Sequence, residues 1–300
     1  LLVDLPPIRD GMATAPVIVA AASGGEGWRG AALFGMSETG DATPLGRTAP
    51  RAVIGQVDGV PGAGSWAMVD EVNSLTVTLI AEDMDLGDAD EAALALGRNL
   101  CLAGRELIQF SRAVQTGAAS YRLEGLRRGL AGTEWAMTAH VAGEAFLLIE
   151  EERLAEPFAG QTGGSEIGGV LRMAAIGVGD AEPVETMLTV SGEAVVPMAP
   201  VHARAVPDGL GGWTIGWTRR SRNGWRWVSG ADVPLGEESE RYDLRVLDGE
   251  ERVRQVETDA PTWTYDAAMV AADGGGALTV EIRQIGSFAL GRPVRLLLSA

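Results

Sequence analysis

Lysine is missing altogether. All 24 basic residues of the 300 are arginine, against 41 Asp and Glu, for a net charge of −17. Nucleic-acid binding needs a basic face to meet phosphates, so direct nucleic-acid binding is not expected. A single cysteine, Cys101, rules out an internal disulfide and any multi-cysteine zinc or iron–sulfur site within the chain. Long apolar runs are also missing: the longest, Ala15–Ala22, contains Pro16 and falls far short of the roughly 20 residues a membrane helix needs. The opening Leu1-Leu2-Val3-Asp4 has neither an initiator Met nor the basic start of a signal peptide, and reads as a strand entered midway through a longer chain.

What is abundant is glycine, 41 residues, and alternation of apolar with polar residues. Leu75/Val77/Leu79, Trp213/Ile215/Trp217, Tyr242/Leu244/Val246 and Leu278/Val280/Ile282 each place apolar side chains on one face of a pleated strand. Asp58-Gly59, Asn223-Gly224, Asp248-Gly249 and Asp273-Gly274 are dipeptides that accept the left-handed backbone of hairpin turns. Asp88–Leu96 is the one good helix candidate, with acids in its first turn and Gly97 just beyond its end. The expected fold class is all-β, mainly antiparallel, with at most one or two short helices.

Charge divides the chain near residue 200. Residues 1–200 hold 27 acids and 12 Arg, a net of −15, while residues 201–300 hold 14 acids and 12 Arg, a net of −2. Five of the eight Trp also fall in the last hundred residues. Ala159–Gly169 has linker composition. The expected organisation is a β-rich domain over 1–158, a linker with connecting strands over 159–200, and a β-sandwich over 201–300. Trp217 and Tyr242 are candidate core anchors between the facing sheets of that sandwich.

Catalytic and metal motifs find little support. His140 and His202 are the only histidines, both expected at strand starts, and no Gly-x-Ser-x-Gly elbow accompanies them; Ser165 is the nearest approach, with Ile167 where the second Gly should stand. In the acidic stretch Glu82–Glu91, an EF-hand loop begun at Asp83 would place Asp88 where Gly is needed and Leu94 where Glu is needed. A solvated loop running into a helix explains those acids more simply than an irregular cation site between Asp83 and Asp90. No catalytic residue, metal ligand or cofactor is expected. The surface candidates are Arg219, Arg220, Arg222, Trp225 and Trp227, because aromatic faces stack on sugars and arginine stacks on aromatics. Trp213 and Trp217 read as core.

Arg122-Leu-Glu-Gly-Leu-Arg-Arg-Gly-Leu-Ala-Gly-Thr-Glu134, preceded by Glu106-Leu-Ile-Gln-Phe110, is read as structure: glycines allow tight turns while the guanidinium groups pair with carboxylates, Glu124 and Glu134 being acids nearby in sequence. This string resembles a segment of phage and gene-transfer-agent tail-tip proteins. So do Pro197–His202 leading into Trp217–Arg222, and the close Ile285–Pro293. The family is the large baseplate hub protein of gene transfer agents and related siphophages, similar in role to host-specificity tail-tip proteins, and the chain resembles its C-terminal portion. The resemblance implies a fibronectin-III-like final domain and a homotrimer at the tail tip. It also implies contacts with other tail and baseplate proteins, support for tail fibres or host-receptor attachment, and a place in the virion or transfer particle after assembly in the bacterial cytoplasm. The competing reading is a carbohydrate-binding module of a secreted or cell-surface protein, using the exposed Trp and Arg. A hydrolase with an unrecognised carboxylate pair is a third.

Overall fold

The computed structural model describes residues 1–24, 27–160, 166–223 and 233–298. It divides into two compact units: Leu1–Ile8 with Pro16–Gly192, and Arg9–Ala15 with Glu193–Ala300. Among the described residues, apart from two short helices and two single-turn 3-10 segments, the regular structure is β-strand, and every strand pair is antiparallel.

The first unit contains β1 (Leu2–Asp4), β2 (Ile18–Ala21), β3 (Ala31–Met36), β4 (Ala42–Arg47), β5 (Ile54–Gly59), β6 (Leu75–Leu79), α1 (Glu91–Ala95), β7 (Leu100–Ala103), β8 (Glu106–Gln115), β9 (Ser120–Leu130), β10 (Ala145–Leu148), β11 (Leu154–Ala155), β12 (Val170–Gly177) and β13 (Val184–Thr189). Its centre is a closed six-stranded barrel in the order β10-β5-β6-β9-β8-β7. Closure comes from β10 pairing with β7, Phe146 opposite Ala103 and Leu148 opposite Cys101. The alternation read in Leu75, Val77 and Leu79 points all three into the barrel, where they pack with Phe110, Leu123 and Phe146. Closing a barrel removes exposed sheet edges, which is how so short a set of strands satisfies its backbone groups.

Two open sheets, β1-β2-β11 and β13-β12-β3-β4, share a second core of Leu2, Ile18, Leu33, Met173 and Val190. Residues 159–200, expected as linker and connecting strands, therefore contain β12 and β13, which pair into a sheet with β3. The apolar alternation Leu171/Met173/Ala175 supplies one wall of that core.

The second unit contains β14 (Val201–Pro207), β15 (Trp213–Thr218), β16 (Tyr242–Asp248), β17 (Glu251–Thr258), β18 (Thr262–Tyr265), α2 (Ala267–Ala272), β19 (Leu278–Gln284) and β20 (Val294–Leu298). Its sheets, β14-β15-β18 and β17-β16-β19-β20, make a three-plus-four sandwich of the fibronectin-III-like kind. Trp217 from one sheet meets Tyr242 from the other edge-to-face, centroids 4.9 Å apart at 77°. Both are buried, with Ile215, Leu244, Val280 and Ile282 around them.

Turn chemistry departs from expectation in two places. Asp58-Gly59 is a bulge at the end of β5, where the pairing with β6 shifts between Val57 and Gly59. Asp273-Gly274 closes α2, Asp273 being the C-cap and Gly274 taking a φ of +95°. Asp248-Gly249 does sit in a tight hairpin, with Asp248 opposite Glu251 and Gly249 at a φ of +60°. Asn223 is described, but its neighbour Gly224 lies outside the described residues.

Candidate functional site

The most concentrated polar chemistry is buried at the β8–β9 end of the barrel. Glu106 opens β8, and Arg128 lies near the end of β9 with its side chain fully enclosed. They form a bidentate pair: Arg128 Nε donates to Glu106 Oε1 and Nη2 to Oε2, each at 2.8 Å. Glu106 Oε1 also accepts the Gly129 backbone N–H at 2.7 Å, and Oε2 faces His140 Nε2 at 2.6 Å. The other ring nitrogen of His140, Nδ1, hydrogen-bonds Glu144. Only the imidazolium form can donate to both carboxylates at once.

These contacts fix the titration behaviour. Burial pulls the His140 pKa down, but the hydrogen bonds to Glu106 and Glu144 outweigh it and leave the pKa above the usual histidine value. Burial pushes Glu106 up, yet the bonds from His140, Arg128 and Gly129 hold it below the usual carboxylate range. Arg128 reaches further: Nη1 donates to Gly62 O at 3.2 Å, Nη2 approaches Met137 O at 3.4 Å, and Nη1 stands 3.7 Å from Asp70. One guanidinium thus ties the β5–β6 loop and the segment after β9 to the barrel wall.

Glycine makes this geometry fit. Gly129 has a φ of +60°, and a Cβ there would lie 2.8 Å from Glu134 Cα and Cβ. The Arg–Glu pairing read from the 122–134 string is present, but Arg127 and Arg128 take partners outside that string. Arg128 takes Glu106, and Arg127 takes Glu91 at 2.6 Å. Glu124 pairs with Arg122 and Arg112. His140, expected at the start of a strand, instead lies in the loop before β10 with its side chain 3% exposed. Sequence spacing could not find this cluster, because Glu106, Arg128 and His140 are brought together only by barrel pairing.

The other candidates disperse. The acids of 82–91 serve separate local tasks. Asp83 pairs with Arg51, Asp85 accepts the Tyr121 hydroxyl, Asp88 accepts Ala113 N–H and Asp90 caps α1. Among the described residues no group of three His, Cys, Asp or Glu is placed to hold a metal ion. His202 is exposed at a φ of +52°, in a bulge where β14 pairing skips from Val201 to Arg204. Burial pushes the Cys101 thiol far above its usual pKa, so it stays protonated inside the barrel.

The proposed surface residues separate sharply. Arg222 is 4% exposed: it pairs with Glu237 at 2.8 Å, donates to Ala13 O and Gly236 O, and lies over the Phe288 ring. Its guanidinium is committed to holding the second unit together and is not presented to a partner. Arg219, half-buried, donates to the carbonyls of Val233 and Pro234. Arg220 is half-buried, and Trp225 and Trp227 lie outside the described residues, as does Ser165.

Comparison with known proteins adds one family. The model for Rcc01698-like proteins, C-terminal, matches residues 52–147, about a third of the chain. That stretch spans nearly the whole barrel, Ile54 to Leu148, and carries Asp70, Glu106, Arg128, His140 and Glu144. No curated protein matches. Among solved structures, domains d3–d4 of the rat CD45 extracellular region are 11% identical over 40% of this chain, with a TM-score of 0.27. The chain spans 56% of that fragment. Titin domains A168–A170 are 12% identical over 87% of this chain and 72% of theirs, with a TM-score of 0.23.

Proposed function

We propose that the chain is a structural, non-enzymatic component of a phage or gene-transfer-agent tail, corresponding to the C-terminal portion of the baseplate hub and working as a homotrimer at the tail tip. The observation that supports this most is the family match: a family name associated with gene transfer agents falls on the barrel and its buried charge cluster. The resemblance of the 197–202, 217–222 and 285–293 strings extends the reading to the second unit.

The cluster's chemistry suits a scaffold. Glu106 accepts four hydrogen bonds and is fully buried, so its carboxylate is saturated by fixed protein donors. A general acid or base needs instead to reach a substrate proton. Fully satisfied buried polar groups of this kind fix one geometry, which a part of a repeating assembly requires.

The test is deletion of the encoding gene in the producing bacterium. Particles with incomplete distal tails and lost DNA delivery, both restored by the wild-type chain, are expected. Normal tails and normal delivery would overturn the reading. For the carbohydrate-binding alternative, glycan arrays probed with wild type and Trp225→Ala give the contrast: the structural reading predicts no glycan signal that depends on Trp225.

A further inference from the structure

The loop between β5 and β6, residues 60–74, is built inside out. Asp70 and Asn73 turn inward, while Glu71 stays exposed. Asp70, 8% exposed, accepts the Val72 and Asn73 backbone N–H groups on Oδ1 and Asn73 Nδ2 on Oδ2, at 3.1, 2.9 and 2.8 Å. Asn73 in turn accepts Gly62 N–H and donates to Ala63 O. Reciprocal backbone bonds join Asp70 to Leu126 of β9, at 2.7 and 3.1 Å, and Arg128 holds Gly62 O from beneath. Its apolar side chains turn outward: Trp66 is 51% exposed, Met68 70% and Val72 93%. A loop pinned at so many points loses little further entropy when something docks on it.

Along the sequence, the stretch that carries the loop is acidic, and the Arg128 guanidinium beneath it is fully buried. From residue 52 to residue 97 there are nine acids and no Arg, Lys or His, and Glu71 is exposed between Val69 and Val72. We propose that this loop is a docking surface for a different protein, whose matching face offers an apolar recess bordered by arginine or lysine. Trp and Met are the residue types that anchor protein interfaces, and a basic border complements Glu71. Hydrocarbon is a poor occupant, because Glu71 would enter it with the valines on either side. A second copy would set acid against acid. The inference stands on the loop's geometry and does not depend on the tail assignment; within a tail, the partner is a neighbouring baseplate protein.

The test uses the whole chain as bait for a random 12-residue peptide display library, with Met68→Ser/Val72→Ser as counter-selection. Both side chains are exposed, so thermal unfolding of the variant should match wild type. Expected are enriched peptides that combine large apolar residues with Arg or Lys, bind the variant at least tenfold more weakly, and bind Glu71→Lys more weakly still. Radical footprinting of wild-type Met68, which a bound peptide should protect, gives the same readout without a variant. No enrichment, peptides lacking basic residues, or binding indifferent to the loop would overturn the proposal. So would loop-dependent co-sedimentation with phosphatidylcholine vesicles, which would make lipid the occupant, or self-association lost in the variant, which would make it a second copy.

Discussion

Glu106 shows why a buried charge is best judged by its partners. Within the barrel wall its carboxylate meets one guanidinium, one imidazole and one backbone N–H. Replacing it with Gln removes the carboxylate that Arg128 and His140 share, leaving Arg128 the more distant Asp70 and His140 only Glu144, and breaking a buried pair in this way costs about 3–5 kcal/mol. Glu106→Gln should lower the urea midpoint accordingly. An unchanged midpoint would show that the network contributes little. The pH dependence follows from the two shifted groups. His140 is raised above its ordinary 6.5, so its contribution is complete below that value and is lost as pH climbs through the folded-state pKa. Glu106 is depressed below its ordinary 4.5, so its contribution is complete above that value and is lost as pH falls through the folded-state pKa. Denaturation across pH should therefore show greatest stability between these two ordinary values and a decline above pH 6.5, abolished in His140→Gln. A stability curve flat through that range would contradict the imidazolium assignment. At this scale the sequence was half legible: the 122–134 string announced Arg–carboxylate pairing, but Glu106 and His140 stand 22 and 12 residues from Arg128, the one brought in by β8–β9 register and the other by the loop before β10.

Elements were read more fully, because period-two alternation reports which face is buried regardless of what covers it. Leu75/Val77/Leu79 and Tyr242/Leu244/Val246 lie in β6 and β16 with those side chains inside. Asp90 sits at the N-cap of α1 and accepts Ala93 N–H, as acids before an apolar helical run should. Dipeptide turn signals were weaker guides, since Asp-Gly supplies a left-handed backbone wherever one is needed: a bulge in β5, a helix end after α2, a hairpin at Gly249. The helix α2 escaped notice because Ala267–Ala272 has no polar face to set a period. The cross-sheet contact of Trp217 with Tyr242 is an element-scale anchor, and Trp217→Ala should cost about 3–5 kcal/mol through the cavity it leaves. Hydrogen exchange should then show lost protection in β15, β16 and β19 with the barrel strands unchanged. Loss confined to other strands would mean that the sandwich core does not depend on this pair.

Over the whole chain, the two units part between Gly192 and Glu193, and the division is not a single cut. Arg9–Ala15 clusters with the later unit, and Arg222 donating to Ala13 O is part of the reason. No composition signal marks those seven residues, because a tie such as Arg222 to Ala13 O joins a side chain to a backbone carbonyl 209 positions away. The acidity of residues 1–200 divides as well. Glu106 and Asp70 are buried against Arg128, whereas Asp83 and Glu91 pair with arginines while staying exposed. The surface that remains is anionic, which favours solubility and opposes adhesion to DNA phosphates. We propose that this closed barrel and sandwich, stabilised internally by arginine–carboxylate pairs, serve as a scaffold at the tail tip. Immunogold labelling of purified particles against this chain reads that placement out. Label confined to the distal end of the tail is expected; label on the capsid, or particles free of label, would contradict a tail-tip scaffold.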